Sequence, residues 1–437
     1  MSSGTITPMI LEGIYASMDA IPGIRQLREA ALERANTLGF PTTNDEEYKY
    51  TSLRSVSETK WNQGGGIDQF DFASHPLFGF DQYRVVFVNG QYSAELSDHA
   101  GLSVELLSQS TKGQALVGTL ARIDEAKFTV AAHLGRLSKP GADVFASSNT
   151  ASFSEGLFLG LASNEKLDKP VHVVFISSGA NSASFPRLVI NAESGSEAEL
   201  IETYLSADDD SHLTIPVTEI FVAPNAVIEH VRVCAESLKT TTLGLVEVKQ
   251  ESDSTYRSYN VVFGSAIARN VINIFIDGSN AHTRFDGVVA LSGDQHVDNR
   301  TRLDHVKPHC ESFEVYKHLL SDHSRAVFNG KIFVHQDAQK TDAKQTNKTL
   351  LLSPNAEIDT KPQLEIFADD VKCTHGATIG HLREDALFYL KSRGIGDAEA
   401  RAILVYAFAA EVLELIECEG AKQALESMLF SKLNPGR

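Results

Sequence analysis

The chain is poor in the residues that usually announce a chemistry. It has only four cysteines, four methionines and one tryptophan in 437 residues. Cys234, Cys310, Cys373 and Cys418 lie far apart with no Cys-x-x-Cys pair, so neither a disulfide framework nor a four-thiolate zinc site is expected, and a reducing cytosol is the expected compartment. Positive charge is scarce as well: 39 Lys and Arg stand against 57 Asp and Glu, a formal net charge of −18. A nucleic-acid binder needs a basic footprint to neutralise phosphates, so no nucleic-acid partner is expected, and an anionic membrane surface is disfavoured. The most apolar run, Ala402 to Ala410, is bounded by Arg401 and Glu411 and falls well short of the roughly 20 residues that a bilayer span needs. Met1 to Ile10 lacks the basic-then-apolar pattern of a secretory signal, so none is expected. Nucleotide and hydrolase signatures are missing too. Gly330-Lys331 is followed by Ile332 with no glycine at the upstream spacing of a phosphate-cradling loop, Gly394-Ile395-Gly396 sits between helices, and HExxH and GxSxG do not occur. Nucleotide hydrolysis by this chain itself is not expected.

What is present falls into three regions of different periodicity. Residues 1–80 read as an N-terminal helical region, in which Leu27, Ala30, Ala31 and Leu38 share a helix face that Gly39 and Pro41 end. Residues 81–382 read as short strands, among them Arg84–Val88, Val171–Ile176, Leu200–Tyr204, Val227–Val233, Leu245–Val248 and Lys331–Val334, interrupted every eight to twelve residues by Gly, Asn, Asp or Pro. Residues 383–437 return to helical spacing, with Asp397 placed as an N-cap and Ala400, Ile403, Leu404, Ala407, Phe408, Leu415 and Ile416 on one side of the following helix. Within the β region a faint repeat recurs: Ser196-Glu197-Ala198-Glu199, Pro224-Asn225-Ala226-Val227, Ser279-Asn280-Ala281-His282 and Pro354-Asn355-Ala356-Glu357 each set a small residue between a turn and a strand. A period in the twenties points to stacked coils, a β-helix; the repeat is too degenerate to exclude a sandwich or barrel.

Few residues group as chemistry would require. In Cys373-Thr374-His375 the thiol and imidazole are two apart, hence on one face if the segment is a strand. A soft thiolate with an imidazole suits iron, iron–sulfur clusters or zinc, but two ligands do not close a site, and the ordinary reading is a packed Cys beside a hydrogen-bonded His. A metal there needs ligands from elsewhere, such as another chain. His305, His309 and Cys310 read as a loop because Pro308 disfavours a helix that would align them. Asp369-Asp370 face opposite ways on a strand and make no glycosidase dyad, and Asp208-Asp209-Asp210 read as an exposed acidic loop.

From Ser321 onward the chain resembles the SufB/SufD family of the SUF iron–sulfur cluster assembly system. The resemblance rests on Ser324-Arg325-Ala326-Val327-Phe328-Asn329-Gly330-Lys331-Ile332, Lys340-Thr341-Asp342-Ala343, Asn347 to Leu352, Asp359 to Ile366, and above all Asp369-Asp370-Val371-Lys372-Cys373-Thr374-His375-Gly376-Ala377-Thr378. Leu387-Phe388-Tyr389-Leu390 and Ser392-Arg393-Gly394-Ile395 belong to it, and Glu46-Glu47-Tyr48-Lys49-Tyr50-Thr51 is similar to the family's E-x-W-K-Y-T element with Tyr48 in place of Trp. Gly376, where the B-type subunit has Glu, and apolar Ile366, where it has its scaffold cysteine, favour the D-type.

The resemblance implies a right-handed parallel β-helix core flanked by helical regions. It implies a non-catalytic cytoplasmic scaffold subunit that pairs with a SufB-type subunit and docks a SufC-type ABC ATPase through the C-terminal helices, with a homodimer possible when the partner is absent. It places His375 at the interface with the B-type partner, where an iron–sulfur cluster forms transiently, with Cys373 as a weaker candidate. Phe388, Tyr389, Arg393, Gly394 and Phe408 are the matching candidates for partner docking. Two rivals remain: a purely structural adaptor of the same complex, and a carbohydrate-active β-helix enzyme, which would require secretion and acidic residues converging on one groove.

Overall fold

The computed structural model describes residues 25–100, 102, 105–106, 133–138 and 143–433. Its centre is a parallel β-solenoid of about eight turns. Each turn contributes one strand to a ten-stranded sheet and one to an eleven-stranded sheet. In the second sheet Thr241–Gln250, Ile267–Ile276, His296–His305, Arg325–Val334 and Glu357–Ile366 stack in parallel and in register. In the first, Thr255–Val262, His282–Leu291, Glu311–Leu320, Asp342–Leu351 and Lys372–Gly380 do the same.

The faint repeat is the corner of each coil. Asn225 and Asn280 hold φ of 62° and 59°, a left-handed conformation that Asn tolerates better than most residues. The alanine that follows, Ala226 or Ala281, is fully buried where the chain turns into the next strand. Ala198 and Ala356 occupy the same corner and are buried too. A larger side chain would push the strand off its neighbours, so the small residue survives while everything around it varies. Where both faces are covered, as in Val171–Ser177 and Arg187–Ala192, the strands lose strict alternation, whereas Asp342–Leu351 keeps it.

Helix α1 (Arg25–Leu38) ends at Gly39 with φ 72°, as its spacing predicts. The rest of the expected N-terminal helical region is mostly irregular: Glu46–Tyr48 is one 3-10 turn and α2 (Arg54–Glu58) is short. Residues 1–24 lie outside the described residues. The segment Glu46–Thr51 is a strap across the second sheet. The Arg269 guanidinium stacks 4.1 Å from the Tyr48 ring centroid and pairs with Asp298. Thr51 Oγ1 donates to Asp298 (2.8 Å), and Lys361 Nζ donates to Glu46 (3.0 Å).

A helix inside the β region, α3 (Val144–Ser152), escapes the strand reading. It is buried all round, and its Ser147, Ser148, Asn149 and Thr150 erase the apolar periodicity that would mark it. Asp143 caps it by accepting from Phe145 N (2.7 Å) and Ala146 N (3.0 Å), and Asn149 Nδ2 donates to Pro186 O (2.8 Å) and Ile215 O (2.7 Å).

After the solenoid come α4 (Glu384–Ser392), α5 (Asp397–Leu413) and α6 (Glu419–Leu433). Helices α5 and α6 pack on the outer face of the first sheet, against Val231, Val233, Tyr259, Val261, Val288 and Leu319. Two expectations are corrected here. Gly396, not Asp397, is the N-cap of α5, and Asp397 instead pairs with Lys391 and Arg401. The buried face carries Ala400, Val405, Ala409, Ala410, Val412 and Leu413, while Ile403 and Ala407 are exposed. The sheet sets this rotation, and helical spacing alone leaves it open. Glu229 of the sheet accepts from Glu417 N (2.9 Å) and Cys418 N (2.8 Å), satisfying donors just ahead of α6.

A candidate pairing site at the last coil

Both sheets end at one coil. Glu357–Ile366 and Lys372–Gly380 are the terminal strands of their sheets, each bonded to a neighbour on one side. Among the described residues nothing covers the other side, and most residues of Lys372–Gly380 are exposed. A row of free N–H and C=O groups at a sheet edge is a template for another strand. Ile366, Phe367 and Ile379 add exposed apolar surface to it.

The register shows why His375 is available. In Glu311–Leu320, Ser312, Glu314, Tyr316 and His318 point into the solenoid and are buried. Their partners one coil on, Ala343, Gln345, Asn347 and Thr349, are buried as well. Cys373, His375, Ala377 and Ile379 continue these inward rows in the last coil. His375 stands over buried Gln345 on a row where every earlier member is covered by the coil above it, yet it is itself exposed. It belongs to a core position without the next layer of core.

Cys373 does share this face with His375, as the spacing predicts, but the two environments differ. Cys373 is half-buried, sits over Ala343 and packs against the interior apolar cluster. Burial raises the pKa of its thiol, which disfavours the thiolate that a metal would need. No group of three or more His, Cys, Asp and Glu that could hold a metal occurs among the described residues. His305 closes a strand with its ring buried, His309 sits in a turn at φ 64°, and Cys310 is buried, so these three do not converge. Asp369 and Asp370 are exposed, with Asp370 paired to Lys340. Of the acidic run, Asp209 and Asp210 are exposed, whereas Asp208 accepts from Gly179 N at 2.8 Å.

The docking candidates separate into two sets. Phe388 (74% exposed) and Tyr389 (56%) stand out from α4, which buries none of its residues. The Arg393 guanidinium lies 5.0 Å from the Tyr389 ring centroid, and Gly394 at φ 88° ends the helix in a conformation that glycine alone adopts freely. Phe388, Leu387 and Lys391 line an open cavity of about 720 Å³ with Leu352, His381 and Arg401. Phe408 is different: it packs on the solenoid, with Lys317 Nζ 4.7 Å from its ring centroid and donating to its carbonyl at 2.5 Å. The sequence reading missed the terminal strand edges and the exposed Phe367 and Ile379. Their signal, apolar residues at the end of a strand series with no strand after them, becomes legible only once the coil count is known.

Fold and site together define a β-solenoid protein whose last coil is bare among the described residues. The chain matches the family described as "SUF system FeS cluster assembly, SufBD core domain" over residues 175–408 and "SufBD protein N-terminal region" over residues 15–173. It is 32% identical to the iron–sulfur cluster assembly protein SufD of Escherichia coli K12, across 93% of this chain and 92% of that protein. Similarity at 30% identity extends to the SufBD family protein slr0076 of Synechocystis (89% of this chain, 86% of that protein) and to the chloroplastic protein ABCI7 of Arabidopsis thaliana (93% and 86%). The chain therefore belongs to the SufB/SufD family of iron–sulfur cluster assembly proteins, on the D-type side to which Gly376 and Ile366 point.

Proposed function

We propose that this chain is a non-catalytic scaffold subunit that pairs with a SufB-type subunit through its bare last coil and docks a SufC-type ATPase through the helices that follow. The observation carrying this reading is the exposure of His375 on an interior row: a partner's coil laid on Glu357–Ile366 and Lys372–Gly380 would continue both sheets and enclose the imidazole. His375 then offers one neutral nitrogen donor at the junction of two chains. The nascent cluster is cargo at that junction, and the partner supplies the thiolate ligands that this chain's described residues do not group together. A neutral imidazole donates more weakly than a thiolate, which suits a site that must release what it assembles.

Exposed Phe388 and Tyr389 on α4, next to the last coil, support ATPase docking close to the pairing edge, so that ATP-driven movement of the ATPase would load the junction directly. Four unpaired cysteines accord with work in a reducing cytosol. The test is anaerobic cluster assembly on the co-expressed three-component complex, comparing wild type with His375→Ala by iron content and absorbance. A sharp loss of cluster on an intact complex is expected. Equal cluster content would leave the chain an architectural adaptor and move the chemistry wholly to its partner.

A further inference from the structure

The two free edges of the last coil are not alike. Along each strand of the solenoid, successive residues alternate between bonding the coil before and facing the coil after. Glu357 N donates back to Ser324 O (3.1 Å) and Phe367 N to Val334 O (2.9 Å), so in Glu357–Ile366 the odd-numbered residues bond the preceding strand. The N–H and C=O groups of Ile358, Thr360, Leu364 and Ile366 face the free side. Between them stands Pro362, which offers a carbonyl there but no N–H, and a ring carbon takes the place of the missing hydrogen. In Lys372–Gly380 the even-numbered residues bond back, as Lys372 N does to Thr341 O (2.8 Å). Cys373, His375, Ala377 and Ile379 therefore present an unbroken row of donors and acceptors to the free side.

The break lies in the middle of its strand. Pro362 is in register with Gly330 of the preceding coil. A Cβ at Gly330 would lie 2.3 Å from Gln345 Nε2. The row that Pro362 ends therefore faces, across the interior, the row that His375 ends. The strand bearing the proline is also tied back to its own chain by ion pairs: Arg325 with Glu357 (2.9 Å), Lys331 with Glu365 (2.7 Å) and Lys361 with Glu46 of the strap (3.0 Å). Within a sheet, proline is confined to edges and strand starts because it cannot donate to the ladder. At an edge it stops an added strand from completing its hydrogen bonds, one of the devices that keep sheets from pairing indiscriminately.

We propose that Pro362 makes the pairing edge one-sided: a partner's strand adds along the whole of Lys372–Gly380, which sets the register, while the ladder along Glu357–Ile366 stays broken opposite His375. This rests on the pairing proposed above and adds which strand carries it and what restricts it. Bare backbone on both edges would accept a strand from any chain, because main-chain hydrogen bonds carry no sequence information. With one ladder broken, backbone alone holds a newcomer on one side only. The partner must then also fit the inward row of that side, Cys373, His375, Ala377 and Ile379, so Pro362 trades one hydrogen bond for selectivity.

Binding of the full chain to an immobilised SufB-type subunit tests the proposal with substitutions at the middle of each edge. Pro362→Ala restores the missing donor and should tighten binding about five-fold, the effect of one hydrogen bond. Ala377→Pro breaks the other row in the same way and should weaken binding roughly ten-fold or more. Its melting curve should stay that of wild type, because the Ala377 N–H bonds nothing in the unpaired chain. If Ala377→Pro does not fold, the sign of the Pro362→Ala effect decides alone. No gain from Pro362→Ala, or wild-type binding by a folded Ala377→Pro, would overturn the proposal and leave pairing at the last coil standing. A complex in which neither substitution changes the affinity would overturn pairing at the last coil as well.

Discussion

The two ends of the solenoid are built on opposite principles. At the N-terminal end the first parallel strand, Tyr83–Val88, is followed by an antiparallel return, Gln91–Asp98, with an irregularity between Arg84 and Val86 that breaks the register. The antiparallel return and the register break are devices by which β-proteins blunt an edge. Helices α1 and α3 and the Trp61 segment cover the outer face of the second sheet, giving Ala35, Phe145, Phe153, Phe158 and Val189 a shared core. At the C-terminal end there is no return strand, no bulge in the ladder and, among the described residues, no helix over the last coil. The same coiled repeat is terminated in one place and left extendable in the other. Solenoids need caps to stay soluble; in the proposed pairing, the cap at this end is another chain.

This contrast can be broken first at the closed end. Arg187 is fully buried, pairs with Glu219, and donates to Asn149 Oδ1 (3.2 Å), Thr150 Oγ1 (3.1 Å) and Ser138 Oγ (2.9 Å). Glu219 also accepts from the backbone N–H groups of Gly135, Leu137 and Ser138. Arg187→Ala strands that carboxylate, and a loss of about 3–5 kcal/mol is expected in denaturant unfolding.

A smaller effect, and one that depends on pH, is expected two coils below the open end. Burial pushes the Glu314 carboxyl up to about 7. The folded chain then holds a proton that the unfolded chain releases near pH 4.5, so stability falls as pH rises from about 4.5 to about 7 and is flat above. At roughly 1.4 kcal/mol per pH unit the span is on the order of 3 kcal/mol. Glu314→Gln removes this dependence, and its melting temperature relative to wild type should be higher at pH 8 than at pH 5.

At the open end stability and function should part company. Ile379→Lys, on a side chain 48% exposed, should change folding stability by no more than about 0.5 kcal/mol. It should nonetheless abolish co-purification with a SufB-type subunit, because the new charge would be buried in the joined core. The smallest expected effect is that of Phe388→Ala, which should leave the melting curve and B-type pairing unchanged and weaken only ATPase capture.

Much of this contrast was legible in the sequence, for identifiable reasons. Coil corners announce themselves because left-handed Asn and buried Ala admit few substitutes. The helices beyond residue 383 keep amphipathic spacing because one face stays in water. The rotation of α5 was not legible, since Val405 and Ala409 are selected by the sheet beneath them. Nor was α3, whose buried Ser and Asn side chains answer to backbone carbonyls far away in sequence. At the site, Cys373-Thr374-His375 could be placed on one face from spacing alone. That one partner is half-buried and the other exposed follows from the missing next coil, a fact of topology. The inward polar row could have been seen in Glu314, Tyr316 and His318, or in Gln345, Asn347 and Thr349, as polar residues at alternate positions of a strand. Nothing in the sequence told which face was inside.

Hydrogen–deuterium exchange of the chain alone and bound to a SufB-type subunit tests the central claim most directly. The account predicts that amides of Glu357–Ile366 and Lys372–Gly380 gain strong protection on binding while those of Gln91–Asp98 do not change. Protection confined to the N-terminal end, or none at the last coil of a complex shown to have formed, would contradict it.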